Sequence, residues 1–145
     1  MPNRPVSAVI KDKDCVTVPA DMRVRKVAEL MQQHHTSAVL VTDSRKKHLL
    51  GICTERDIVF GVVAEALDPE STTVESVMTA DPLCIAPDKP FGHALHLMYE
   101  NGFRHVPVVE DGCPLGILCA RDALGSDALQ FESDLVRREE ITVIL

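Results

Sequence analysis

The sequence predicts a mixed α/β (α+β) fold built from two pseudo-symmetric β-α-β-β-α units packed sheet to sheet. Three observations predict it. The stretch Gly51-Ile52-Cys53-Thr54-Glu55-Arg56-Asp57-Ile58 returns, loosened, as Gly116-Ile117-Leu118-Cys119-Ala120-Arg121-Asp122-Ala123, about 65 residues later. Apolar stripes upstream of each copy repeat at nearly the same distance. Finally, the chain is 46% hydrophobic but only 3% aromatic, with no Trp. Its core must therefore be built from Val, Ile, Leu, Ala and Met. Val-rich runs suit buried strands, and Ala/Leu/Met stretches suit helices packed on them.

The elements follow in order. Val6-Ser7-Ala8-Val9-Ile10 is a short apolar cluster, read as a helical turn entering the first unit, and Val74-Glu75-Ser76-Val77-Met78 echoes it before the second. A strand alternating in period two follows at Cys15–Val18, with a counterpart at Leu83–Ile85. Asp21 then precedes a helix with Val24, Val27, Ala28 and Met31 on one face. Asp88 precedes the matching stripe Phe91, Ala94, Leu95 and Met98. Aspartate before such a stripe predicts an N-cap, and Pro90 suits a first turn. Both helices end in polar patches, His34-His35-Thr36 and Asn101-Gly102. Val-rich strands at 38–41 and 106–109 come next, each followed by a polar turn and a returning strand, 50–53 or 115–118. That pattern predicts two hairpins. A last helix in each unit runs from Thr54 to about Leu67, or from Cys119 to about Leu129.

The organisation is thus a first unit with its lead-in over 1–73, a second over 74–131, and a tail over 132–145. A single unit of about 65 residues is marginal for an independent core, so the copies are expected to close on one another. In the tail, Arg137-Arg138-Glu139-Glu140 precedes the apolar Ile141-Thr142-Val143-Ile144-Leu145, which wants a partner surface.

Charge and motifs narrow the function. The net charge is −7, and no Lys/Arg cluster offsets it, which disfavours nucleic acid. A small anionic ligand is still compatible, because helix ends and single arginines act locally. No secretory signal or membrane-length apolar run is visible. The five cysteines form no Cys-x-x-Cys pair. A reduced, cytoplasmic protein with no membrane association is expected. His93 and His96 share a helix face and His34 and His35 are adjacent, but nothing completes a zinc set, so no metal is expected. No Gly-x-Ser-x-Gly, phosphate-loop or paired-carboxylate pattern appears either, and the chain reads as a binder, not an enzyme.

Taken together and in order, Val77-Met78-Thr79, Phe103-Arg104-His105-Val106-Pro107-Val108-Val109 and the hydrophobic-Thr-x-x-Asp step at Thr54–Asp57 resemble a tandem pair of CBS domains, a Bateman module, over roughly residues 6–130. The resemblance implies a regulatory module that binds adenosine-containing ligands in clefts between the units and forms flat dimers. The ligand would be AMP, ADP, ATP, or a relative such as S-adenosylmethionine or NAD, with no cofactor required. Output would pass through a homodimer's arrangement to a separate effector protein. In the family the Thr/Ser hydroxyl reaches phosphate and the Asp carboxylate holds ribose. Carried over, this names Thr54 and Asp57; in the second copy Asp122 matches but Cys119 replaces the hydroxyl residue.

Each of these residues also has a plainer reading. Thr54 with Asp57 three residues on is a capping box that needs no ligand. Arg56 and Arg121 precede the two aspartates, as salt-bridge partners or phosphate contacts. Arg104 and His105, with Val106 and Pro107, stand at the second Val-rich strand, where the family lines its cleft. Ser37 and Ala38 are their first-copy counterparts, and Ser37 cannot supply Arg104's charge. Thr17 and Val18, with Cys84 and Ile85, lie on the first strands, where backbone groups would read an adenine edge. The two clefts are therefore expected to be chemically unequal. The rival expectation is a structural or adaptor dimer with empty or degenerate clefts.

Overall fold

The computed structural model describes residues 4–45 and 47–124. The chain runs α1 (Val6–Ile10), β1 (Thr17–Pro19), α2 (Val24–His34), β2 (Ala38–Thr42), β3 (Leu49–Thr54), α3 (Glu55–Ile58), β4 (Thr79–Ala80), α4 (Phe91–Asn101), β5 (His105–Glu110) and β6 (Cys113–Cys119). One sheet has the order β1-β2-β3-β4 and the other is the β5-β6 hairpin. β1 lies parallel to β2, with Val18 opposite Val41, while β2 and β3 are antiparallel, with Ala38 opposite Thr54. His105 opposite Cys119 is the same register in the second hairpin.

The β1 strand starts at Thr17, two residues later than the period-two pattern suggests. Its counterpart in the second half shrinks to a single parallel bridge, Ile85 with Val108. Pro82 and Pro87 flank that segment and offer no N–H to a ladder, which limits how far it pairs.

Asp21 and Asp88 do not cap their helices. The N-cap positions are Arg23 and Pro90, neither with a side-chain cap bond. Backbone carbonyls from distant segments take the orphan amides instead. Val24 N–H donates to Thr72 O at 2.9 Å, and Phe91 N–H donates to Arg4 O at 2.7 Å.

Those two bonds reveal an exchange between the halves. The α1 lead-in packs not on the unit it precedes but on the second: Val6 and Ile10 join Phe91, Ala94, Val106 and Leu118 in one core cluster. Val74, on a short 3-10 turn at Val74–Ser76, packs instead with Val18, Val27, Val39 and Cys53 of the first half. β4 then pairs with β3, Ile52 opposite Thr79. The repeated lead-ins are alike in sequence, so the repeat alone does not say which half each one covers.

Between the halves lies a third apolar layer of Ala38, Leu40, Ile52 and Ile117. β2 is buried along its whole length because Val39 and Val41 face the helix side while Leu40 faces the other hairpin, as expected for a strand covered on both faces. Leu49 N–H donates to Gly112 O at 2.9 Å, tying one hairpin to the other.

After Thr54 the chain forms α3 and then a π-helical turn, Val59–Val63, ending short of the expected Leu67. Val59, Phe60 and Val63 stay half or more exposed. After β6 a helical turn is described at 122–124, and the rest of the span expected to reach about Leu129, with the 132–145 tail, lies outside the described residues. Among the described residues no helix is long and apolar enough to cross a membrane.

Candidate ligand clefts

Two clefts related by the internal repeat open between the hairpins. α2 is C-capped by His35 and α4 by Gly102, each in the left-handed region, φ 49° and 72°. These turns deliver Thr36-Ser37-Ala38 and Phe103-Arg104-His105 to the cleft walls. Gly102 meets that backbone demand without strain.

The first cleft has a volume of about 390 Å³. Ile52, Pro82, Leu83 and Phe103 form apolar walls, and Thr54, Arg56, Asp57 and Arg104 supply the polar groups. Thr54 N-caps α3. Its Oγ1 accepts the Asp57 N–H at 3.2 Å, and Thr54 N–H donates to Asp57 Oδ2 at 2.9 Å. The capping box is therefore complete, and it engages only one of the two Asp57 carboxylate oxygens. Arg56 lies over the Phe60 ring, 5.0 Å from its centroid. Among the described residues neither Arg56 nor Arg104 has a carboxylate partner.

The second cleft is smaller, about 270 Å³. Asp122 reaches back as Asp57 does: Cys119 N–H donates to its Oδ2 at 2.7 Å. The half of the capping box made by the carboxylate is thus present in both copies, and the hydroxyl half is confined to Thr54. Lys13 Nζ also donates to Asp122 Oδ2, at 2.5 Å, and to Ile117 O at 2.9 Å. Ser37, Ala38 and Arg121 line this cleft as well.

His105 lines both clefts. Its Nε2 shares a hydrogen bond of 2.7 Å with Ser37 Oγ. Burial holds its pKa below the usual histidine value of 6.5; Glu55 and, less strongly, Asp122 pull the other way, and Lys13 and Arg121 add to the lowering. The ring is neutral at neutral pH. Behind Thr54, burial and the Asp57 charge push the Cys53 thiol up to about 12, so it packs as a small apolar side chain. Among the described residues no three His, Cys, Asp or Glu side chains converge as metal ligands.

The structure brings Thr54, Arg56, Asp57, Arg104 and His105 together in one cleft, and Ser37, Ala38, Cys119, Arg121 and Asp122 in the other. It does not bring Thr17, Val18, Cys84 or Ile85 to either. Thr17 and Val18 border a separate hollow with Thr42 and Pro114. Ile85 is buried in the second core, and Cys84 is exposed outside the cleft walls. The late start of β1 explains the shift: the residues beside the clefts are Pro82 and Leu83, and in the other half Asp14, one or more positions earlier. Val106 and Pro107 are buried within β5 and line neither cleft. Sequence reasoning missed Leu83, Phe103 and Lys13. Lys13 sits in the alternating run Lys11-Asp12-Lys13-Asp14, whose balanced charge hides it.

Comparison with known proteins agrees with this geometry. The family model described as CBS domain matches residues 6–64 and 74–128. The chain is 41% identical over 101 residues to the meiotically up-regulated gene 70 protein of Schizosaccharomyces pombe, covering 70% of this chain and 14% of that protein. It therefore spans only a small part of that relative. Among solved structures it superposes on the CBS-domain containing protein ATU1752 from Agrobacterium tumefaciens, with a TM-score of 0.76 and 30% identity. The match covers 85% of this chain and 98% of that one. It also superposes on the CBS domain protein PAE2072 from Pyrobaculum aerophilum, whose structure is a complex with AMP. There the TM-score is 0.74 at 25% identity, covering 81% and 88% of the two chains. With both repeats matched and both hairpins, exchanged lead-ins and paired clefts in place, the chain belongs to the CBS-domain family as a tandem pair.

Proposed function

We propose that this chain is a regulatory module that takes an adenosine-containing ligand in the first cleft. One observation carries the reading: Arg104, without a carboxylate partner among the described residues, and the Thr54/Asp57 helix start line one apolar-walled cleft. Its volume of about 390 Å³ falls in the range of roughly 300–1,000 Å³ usual for small-molecule sites. The free oxygen of Asp57 accepts from a ribose hydroxyl, Arg104 and Thr54 meet phosphate, and the purine lies between the apolar walls. The AMP bound by PAE2072 supports a nucleotide as ligand. AMP is the first candidate, with ADP, ATP, S-adenosylmethionine and NAD as alternatives.

Ligand acts by favouring one arrangement of a homodimer over another, and a separate effector protein in the cytoplasm reads that arrangement. The exposed Val59, Phe60 and Val63 support self-association. Isothermal titration with AMP, ATP and S-adenosylmethionine tests the proposal. Saturable heat from at least one is expected, and no heat from any at millimolar concentration overturns it. Product formation from ATP is expected to be nil.

A second reading has a specific observation behind it. Thr54 and Asp57 satisfy each other as a complete capping box, as they would in an adaptor dimer with empty clefts. The same titration separates the two.

A further inference from the structure

The two clefts differ by more than the loss of a hydroxyl at Cys119. The turn after α1 places Lys13 against the second cleft, where Nζ bonds Asp122 Oδ2 and Ile117 O at once. Asp122 is the repeat counterpart of Asp57. The lysine joins the Cys119 N–H on Oδ2, so it acts on that carboxylate by neutralising its charge and crowding its approach rather than by taking both oxygens. Two of its three N–H donors are thereby satisfied from within the chain.

The internal repeat makes the asymmetry sharper. About 68 residues after Lys13, the offset between the two lead-ins, comes Asp81, just before Pro82 and Leu83 of the first cleft wall. A carboxylate there cannot pair with Asp57, which has no cationic partner among the described residues, whereas Asp122 is paired with Lys13. The second cleft is also the smaller, about 270 Å³ against about 390 Å³. In place of Arg104 it has Ser37, whose hydroxyl is already committed to His105. Charge, space and donor set all change in the same direction.

We propose that Lys13 is a built-in occupant of the second cleft, its ammonium pairing with Asp122 where a ligand's hydroxyls would approach, so that the chain binds one ligand and not two. The lysine lies on the turn that follows α1, the lead-in exchanged from the other half. The same exchange that completes the second core thus closes the second site.

This proposal rests on the reading of the first cleft as a nucleotide site, and the two can fail separately. Titrate AMP into the wild-type chain, Lys13→Met and Lys13→Met with Cys119→Thr, and into each with Asp57→Ala added. Wild type is expected to bind one equivalent, lost in Asp57→Ala. The Lys13→Met chains, with or without Cys119→Thr, are expected to gain a second equivalent that survives Asp57→Ala. Binding by the Lys13→Met chains alone would sink the first-cleft reading and leave Lys13 as occupant. Two equivalents in wild type, a loss of binding in Lys13→Met, or no gain in either lysine variant would each overturn the proposal.

Discussion

Ser37 Oγ and His105 Nε2 lie 2.7 Å apart and join the residue before β2 to the first residue of β5. The pair spans the two halves where the clefts come closest, and His105 forms a wall of each. Any ligand in the first cleft therefore shares a side chain with the second, and the state of one ring bears on both.

That ring is the place to look for pH dependence. Burial lowers the His105 pKa beneath 6.5, so below about pH 6.5 the unfolded chain binds more of a proton at this ring than the folded one does. Stability from this residue is complete above about pH 6.5 and is lost as pH falls through the window below it. The melting temperature of wild type is expected to drop more steeply from about pH 7.5 to pH 5.5 than that of His105→Gln. Equal slopes for the two proteins would show that the ring carries no such penalty.

Asp57 has a structural task that must be separated from ligand contact. Asp57→Ala removes the acceptor for Thr54 N–H and should cost about 1 kcal/mol, as a lost cap does. Asp57→Asn keeps an acceptor and removes only the charge, so its melting temperature should stay nearer wild type. If the carboxylate holds ribose, AMP raises the melting temperature of wild type and of neither variant. An Asn variant that still responds fully to AMP would confine Asp57 to the cap.

Arg104 is exposed and has no carboxylate partner among the described residues. Arg104→Ala should therefore change stability by no more than about 0.5 kcal/mol. Charge-assisted bonds to phosphate contribute about 1.5–3 kcal/mol, so AMP affinity should fall by roughly 10- to 150-fold. Adenosine, lacking the phosphate, should bind wild type and variant alike. An equal loss for both ligands would place Arg104 away from the phosphate.

Much of this was legible in the chain because repetition is a one-dimensional signal. The Gly51–Ile58 and Gly116–Ala123 copies located both hairpins and the start of α3, and with them Thr54, Asp57 and Asp122. What was hidden depends on contacts between distant segments. Asp21 and Asp88 looked like caps because local propensity is blind to Thr72 O and Arg4 O arriving from elsewhere. The exchange of lead-ins was invisible for a related reason: Val6–Ile10 and Val74–Met78 are too alike to reveal their partners. Thr17, Val18, Cys84 and Ile85 were misplaced by a shift along their strands, which moves which residues reach a cleft. Lys13 needed coordinates, since only folding sets it on Asp122.

The cysteines should report burial by their reactivity. Cys84 is exposed, whereas Cys53 is fully buried with its thiol pushed up to about 12. Thiolate is the reactive form, so alkylation near pH 8 should modify Cys84 well before Cys53. Modification of Cys53 should wait for unfolding and accelerate in denaturant. Early labelling of Cys53 in the native protein, read by peptide mass, would contradict its place beneath Thr54.

The exchanged lead-ins can be tested through the two glycines they press against. A Cβ on Gly51 would lie 2.5 Å from Met78 Sδ and 2.7 Å from Thr79 O. The methionine can swing aside, but the carbonyl belongs to the β3–β4 pair and cannot. A Cβ on Gly116 would lie 3.0 Å from Ile10 Cβ and 3.1 Å from its Cδ1, which asks α1 to back away. Overpacking of this kind costs about 1–3 kcal/mol, with Gly51→Ala expected to be the worse of the two. Ile10→Ala removes two of the three atoms closest to Gly116, so it should relieve part of the Gly116→Ala penalty. The double-mutant cycle for that pair should then show coupling of about 0.5 kcal/mol or more. Ile10→Ala combined with Gly51→Ala should simply add, because those residues lie in different halves. Additivity in both cycles would mean that α1 does not rest on β6, and the second half would have to be closed by something else.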